Sequence, residues 1–384
     1  MRHDTVLYIN VDDPIACANL LNTDLANITD WANQWLVQFS PPKTVTLNIS
    51  KKKKSLLKPP LMLDNSVIKE VKSDKHLGVI LSHDLGWKEH IESICISASQ
   101  CLDVLNAFKY KLDRATLERL YFSFVRSKLE YSNILWDNCT KYEKDLIESV
   151  QLRAAKIVSG AINRTSRELI YKELGWDSLE ERRLKQRLKT MYKITHDMAP
   201  AYLQNTLETH HVRYNLRNQG LLHPMKYRTA THQKTFFPQT ISDWNNLDQN
   251  IRNIDNFSNF ETQLCNDNVK KIPKWYFTGK RYPSVIHGKL RMLCSPLNDH
   301  LYSHIHVIDS PQCPCGHPRE TTKHYFLECP LFQNERQDML QKLKSINFHP
   351  SLHNLLYGDF SVDEKTNISA FEIVQSFIEH SDRF

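Results

Sequence analysis

The sequence predicts a mainly α protein with a small antiparallel β-sheet near its start, an α+β class. Glycine is scarce at 9 of 384 residues. Apolar residues recur at helical spacing over most of 87–193, and one stretch, Val45, Leu47 and Ile49, alternates with polar Thr46 and Asn48 at the period of a half-buried strand. At this length one ordinary core does not suffice, and two to four domains are expected.

The first element is a helix. Asp12 and Asp13 follow Tyr8 closely, the pattern with which polymerase palms hold magnesium, but the chain does not leave this point as a strand. Pro14 suits a first helical position, and Ala18, Leu21, Leu25, Ile28 and Ala32 follow at helical spacing. Asp13 therefore reads as an N-cap in preference to a metal ligand. Strands are expected at 44–50, 61–63, 67–71 and 76–81, with a turn at Asp64-Asn65, and the lysine run 51–54 falls in a connection between strands.

From 87 to 193 nearly everything reads as helix. Asp113 caps a run carrying Leu117, Leu120, Tyr121, Phe124 and Leu129. Thr140 with Glu143, and Ser178 with Glu181, have capping-box spacing. The helix after Ser178 sets Leu184, Leu188, Met191 and Thr195 on one side. Its other side bears Arg182, Arg183, Lys185, Arg187, Lys189 and Lys193 with no acid among them, a candidate nucleic-acid-binding face whose ordinary alternative is a solvated surface. After Pro200 the texture turns polar and irregular. There Phe236, Phe237 and Trp244 lie near Arg228 and Lys234, either to stack on bases or to anchor the segment to a core.

Fifty basic residues against 43 acidic give a formal charge of +7, unevenly spread, which favours a polyanionic partner. Nine cysteines without a signal-like start point to a reducing compartment, cytoplasmic or nuclear, where thiols stay free or bind metal. No stretch reaches the roughly 18 apolar residues of a spanning helix, so no membrane partner is expected.

The most specific local signal is Cys313-Pro-Cys315-Gly316, then His324, then Cys329. Three thiolates and an imidazole match the four ligands of a structural zinc site, and four protein ligands leave no open position for water or substrate. Gly316 relieves the tight turn of the Cys-x-Cys clasp, and Thr321 and Thr322 can start a helix delivering His324 and, a little over one turn later, Cys329. His317 is a rival ligand, and the bland alternative is three buried thiols beside a surface histidine. The other six cysteines look like packing residues.

Several motifs in order complete the pattern: Asp4-Thr-Val-Leu-Tyr8, Trp31-Ala-Asn-Gln-Trp-Leu-Val-Gln-Phe-Ser-Pro-Pro-Lys-Thr44, His76-Leu-Gly-Val-Ile-Leu-Ser-His-Asp-Leu-Gly-Trp87, Leu129-Glu-Tyr-Ser-Asn-Ile-Leu-Trp136, Leu152-Arg-Ala-Ala-Lys-Ile-Val-Ser-Gly160 and the Cys/His cluster. With them the chain resembles, over nearly its whole length, the C-terminal part of a reverse transcriptase from a non-LTR (LINE-type, jockey-like) retrotransposon. The resemblance implies a palm remnant at 1–84, a thumb-like helical domain at 85–197, a connecting region at 198–290 and a C-terminal region with a CCHC zinc-knuckle-like motif at 291–384.

It also implies an incomplete catalytic centre. Asp4 matches the second aspartate of the family's catalytic pair, His3 stands where the first would be, and the earlier palm aspartate lies ahead of this chain. Magnesium would bind only if missing palm residues completed the site. Lys43 matches the lysine thought to protonate pyrophosphate, and the strand around Leu77-Gly78-Val79 resembles the primer grip. The expectation is a fragment of an RNA-directed DNA polymerase, inactive alone, with residual binding to RNA and DNA as template-primer or target. The alternatives are a binding module retained without catalysis, or part of an active enzyme whose N-terminal half lies outside this reading frame.

Overall fold

The structure is a computed structural model that describes residues 5–10, 13–49, 59–207, 221–266 and 272–384. Helices dominate and the strands are few and short, so the α+β class is observed. The chain forms two units, residues 1–94 and 95–384, divided inside the Lys88–Phe108 helix.

In the first unit Asp13 is the N-cap of the Pro14–Gln34 helix, its carboxylate accepting from the amides of Ile15 (3.0 Å) and Ala16 (3.3 Å). That carboxylate is spent on the helix end. Among the described residues six short strands follow: β1 (Val45–Leu47), β2 (Met62–Leu63), β3 (Ser66–Val67), β4 (Lys69–Val71), β5 (Ser73–His76) and β6 (Val79–Ser82). They do not form the single antiparallel sheet expected from the sequence. Three two-stranded ladders form instead, and β1 pairs with β4 in parallel. Alternation reports which face of a strand is buried but not the direction of its neighbour. The β2–β3 hairpin turns at Asp64-Asn65, as expected, with both residues at positive φ.

The expected strand at 76–81 is corrected. Leu77 (φ +46°) and Gly78 (φ +86°) form a two-residue turn, so the stretch likened to a primer grip is the tip of the β5–β6 hairpin. Lys43 is exposed and ends the Pro41–Lys43 turn. Asp4, His3, Asp12 and the lysine run 51–54 lie outside the described residues.

Among its described residues the elements of the second unit are helices. Asp113 caps the Arg114–Leu120 helix through the amide of Thr116 (2.8 Å), and both expected capping boxes form. Two of this unit's apolar clusters bear on the sites described below. One joins Leu188, Met191 and Tyr192 of the Leu179–Thr195 helix to Leu222, Ile241, Trp244 and Phe260. The other gathers Leu290, Tyr325, Phe326, Met339, Leu343, Leu355, Val374 and Phe377, together with Cys313 and Cys329. Among the described residues no helix is long and apolar enough to cross a membrane.

Candidate metal centre and the basic helix

The Cys313–Cys329 region is built as a clasp and a turn of helix on one wall of the C-terminal core. The backbone reverses at 313–317, where the Cys313 amide donates to the His317 carbonyl (2.9 Å) and the Gly316 amide to the Cys313 carbonyl (2.9 Å). Gly316 sits at φ +92° with open space where a Cβ would stand, so backbone conformation, not crowding, selects glycine. Buried Glu320 accepts from the Asn298 amide (2.7 Å) and from Arg383 (2.5 and 2.6 Å), which ties the clasp to the chain's last residues. The Thr321 hydroxyl caps the next helix by accepting from the His324 amide (3.1 Å).

That helix opens at once into a π turn, His324–Glu328, closed by the Cys329 amide on the His324 carbonyl (2.7 Å). In a regular α-helix two residues five apart point about 140° away from each other. The wider turn brings Cys329 back beneath His324. Arg336 holds the Cys329 carbonyl, and Tyr325 and Phe326 drive the turn into the core, the Tyr325 hydroxyl reaching Ser381 at 2.7 Å.

As a result the ligand atoms of Cys313, Cys315, His324 and Cys329 all lie within 4.8 Å of one another. Two edges can be tested against zinc. A tetrahedron with Zn–S near 2.3 Å and Zn–N near 2.0 Å has S–S edges of about 3.8 Å and S–N edges of about 3.5 Å. Cys313 Sγ to Cys329 Sγ is 3.8 Å, and Cys315 Sγ to His324 Nε2 is 3.3 Å. The donor set therefore fits a four-coordinate metal with no open position.

Electrostatics agree with the geometry. Burial pushes the Cys313 thiol up to about 12 and also raises Cys329. Burial acts the same way on Cys315, but the amide of His317 and the neighbouring thiols more than offset it, leaving Cys315 below its ordinary value. Three adjacent thiols cannot all ionise in a buried site unless a cation neutralises them. His324 is held below its ordinary value first by burial and then by the adjacent His317, which favours the neutral, ligating imidazole.

His317, the rival ligand, is not among the four. It stacks on the His324 ring at 4.1 Å, and its Nδ1 is engaged by the backbone of Arg319. Sequence reasoning missed Glu328. Its Oε2 lies 3.8 Å from His324 Nδ1, a buried atom that has no hydrogen-bond partner, while Lys323 holds the other carboxylate oxygen at 2.6 Å. A carboxylate behind a ligating histidine is a recurrent support. The i,i+4 spacing of His324 and Glu328 was the available signal.

The basic helix is corrected. Arg183 and Arg187 are 3% and 6% exposed and converge on buried Asp137, Arg183 at 2.7 Å, with Lys144 on the same carboxylate at 3.4 Å. Arg187 also reaches Asp243 (2.7 Å). Arg182 pairs with Glu130, Lys185 with Asp177 (2.7 Å) and Lys189 with Glu261 (2.6 Å), while Lys193 lies over the Phe257 ring at 4.9 Å. The helix itself carries no acid on that face, but neighbouring elements bring one to each of its first five cations. It is an internal ion-pair seam, not a phosphate-facing stripe.

Outside 313–329 no cluster of three or more ligating side chains is found among the described residues. Comparisons with protein families, characterised proteins and solved structures gave no match.

Proposed function

We propose that this chain is a nucleic-acid-binding, zinc-stabilised portion of a reverse-transcriptase polypeptide of the non-LTR, jockey-like kind, without polymerase activity of its own. In this reading residues 1–84 derive from a palm, 85–197 from a thumb-like domain and 198–290 from a connecting region, and 291–384 carry a CCHC zinc-knuckle-like module. The observation that supports it is the Cys313, Cys315, His324 and Cys329 tetrad: the last motif in the ordered series brings together a donor set, with two separations, compatible with a zinc site.

Zinc would supply folding free energy rather than chemistry, since all four positions are taken by protein. The residues do the placing. Gly316 turns the clasp, Thr321 starts the helix, the π turn aligns His324 with Cys329, and Glu328 backs the imidazole.

The test is made on the reduced, full chain. We expect one equivalent of zinc, salt-steep binding to single-stranded RNA and DNA, and no extension of a primed template in magnesium. Metal-free protein as purified under reducing conditions overturns the zinc assignment. Lack of salt-dependent binding to any RNA or DNA overturns the nucleic-acid reading, and primer extension overturns the inactive-fragment reading.

A further inference from the structure

The fold pairs five of the six cations of the most basic helix with acids, but among the described residues it leaves another set without one. Residues 221–242 contain no carboxylate at all, and include Lys226, Arg228, His232 and Lys234. All four are exposed. Among the described residues no carboxylate lies within ion-pair distance of Lys226, Arg228 or Lys234. Asp243, the first acid after them, is already committed to Arg187 at 2.7 Å.

The segment is held at both ends while its middle faces solvent. Asn245 clamps Leu222 in both directions, accepting from its amide (3.0 Å) and donating to its carbonyl (2.9 Å), and Arg252 fixes the Asn245 carbonyl (2.7 Å). Leu222 is buried in the core around Trp244, and Met225, Phe236 and Phe237 pack against that core. Thr229 caps the turn of helix at Ala230–Gln233 by accepting from the His232 amide (3.1 Å). Of the two roles open to Phe236, Phe237 and Trp244, stacking on bases or anchoring the segment, the packing is that of anchors. Tyr227 instead is 49% exposed, in sequence between Lys226 and Arg228.

We propose that the segment from Lys226 to Lys234 is the surface on which this chain holds single-stranded nucleic acid: Lys226, Arg228 and Lys234 on phosphates, Tyr227 stacked on a base. The proposal deepens the nucleic-acid reading and rests on it. The physical basis is that a phosphate contact releases counterions only if the cation is not already neutralised by the protein, which among the described residues holds for this segment and not for the 182–189 cations. An exposed aromatic beside such cations adds stacking that tolerates any base. An anionic lipid surface would want several exposed apolar side chains beside the cations, to insert into the bilayer, rather than a lone tyrosine.

The test is fluorescence anisotropy of the full chain with a labelled oligo(dT) and oligo(U) 20-mer over a salt series. Lys226→Ala/Arg228→Ala/Lys234→Ala should weaken binding at least tenfold and lower the salt slope by about 2, at roughly 0.7 per lost phosphate contact. Tyr227→Ala should weaken it by about tenfold with the slope unchanged. Lys226→Arg/Lys234→Arg should bind like wild type. Unchanged affinity and slope in the triple variant overturn the proposal. So does a triple variant that loses binding to phosphatidylserine vesicles while keeping the oligonucleotide. Wild-type protein that binds no oligonucleotide removes the underlying nucleic-acid reading, a result distinct from a binding protein that ignores this segment.

Discussion

At the scale of single residues, the metal cluster depends on which nitrogen of His324 is free to ligate. Nε2 faces Cys315 at 3.3 Å, so for Nε2 to ligate a metal the proton must sit on Nδ1, which lies 3.8 Å from Glu328 Oε2. That distance is too long for a formed hydrogen bond but within reach of a small rotation of an exposed side chain. Glu328→Gln, which keeps the shape and removes the charge, should therefore lower zinc affinity by about 10- to 100-fold without abolishing the site. Competition with a colorimetric chelator measures it, and affinity equal to wild type would remove Glu328 from the site. The clustering of Cys313, Cys315, His324 and Cys329 was legible because zinc chemistry restricts donors to a few residue types at short separations. Glu328 was not, because a carboxylate one helical turn from a histidine is usually a surface pair. The same limit applied at Asp137, whose three cations come from positions 144, 183 and 187, contacts that only folding reveals.

Among the elements, helix starts were the most legible feature. Asp13, Asp113, Thr140 with Glu143 and Ser178 with Glu181 all cap as their spacing implied, because a cap is a contact within four residues. Ladder direction and the π turns were not legible, since both are decided by distant packing. One such packing decision is the Arg167–Leu174 helix, whose Glu173 receives Arg114 (2.8 Å) and Arg291 (2.7 Å) from helices far apart in sequence. Burial pushes the Glu173 carboxyl up, and the two guanidiniums, Arg291 ahead of Arg114, more than offset it, so its pKa lies below 4.5. For a depressed carboxylate the stabilisation is complete above the unfolded value and drains away as pH falls through the lower folded one. Stability measured by urea denaturation should hold from neutrality down to about pH 5 and then fall on further acidification. Glu173→Gln should be less stable at neutral pH, by about 3–5 kcal/mol for a broken buried pair, and should show a shallower loss in acid. An identical acid slope in wild type and variant would mean that other carboxylates govern it.

For the whole molecule, the position of the metal cluster decides what metal removal does. Isolated zinc fingers unfold without metal because they have little else, the ion contributing about 10–16 kcal/mol. Here Cys313 and Cys329 are 2% and 0% exposed, and they belong to a core that also buries Leu290, Met339, Leu343, Leu355, Phe377 and Ile378. At roughly 1.5–3 kcal/mol per buried side chain those six alone oppose unfolding with about 9–18 kcal/mol before chain entropy. Metal loss should therefore loosen the wall that carries the ligands without dissolving the core. The second core, around Trp244 and Phe260, contains no ligand and is tied together by the ion-pair seam of the Leu179–Thr195 helix. Hydrogen exchange on reduced protein, with and without a strong chelator, should then show a graded response. The largest loss of protection is expected at 311–332, where a bound metal would hold the three thiols of the clasp and the π turn together. A smaller loss should reach the Gln333–Ser345 and Glu364–His380 helices, which pack on that wall. Exchange at 184–195 and 236–264 should not change. Uniform loss across both cores would mean that the metal holds the unit as a whole. No loss at 311–332 would mean that the tetrad is three packed thiols and a histidine after all.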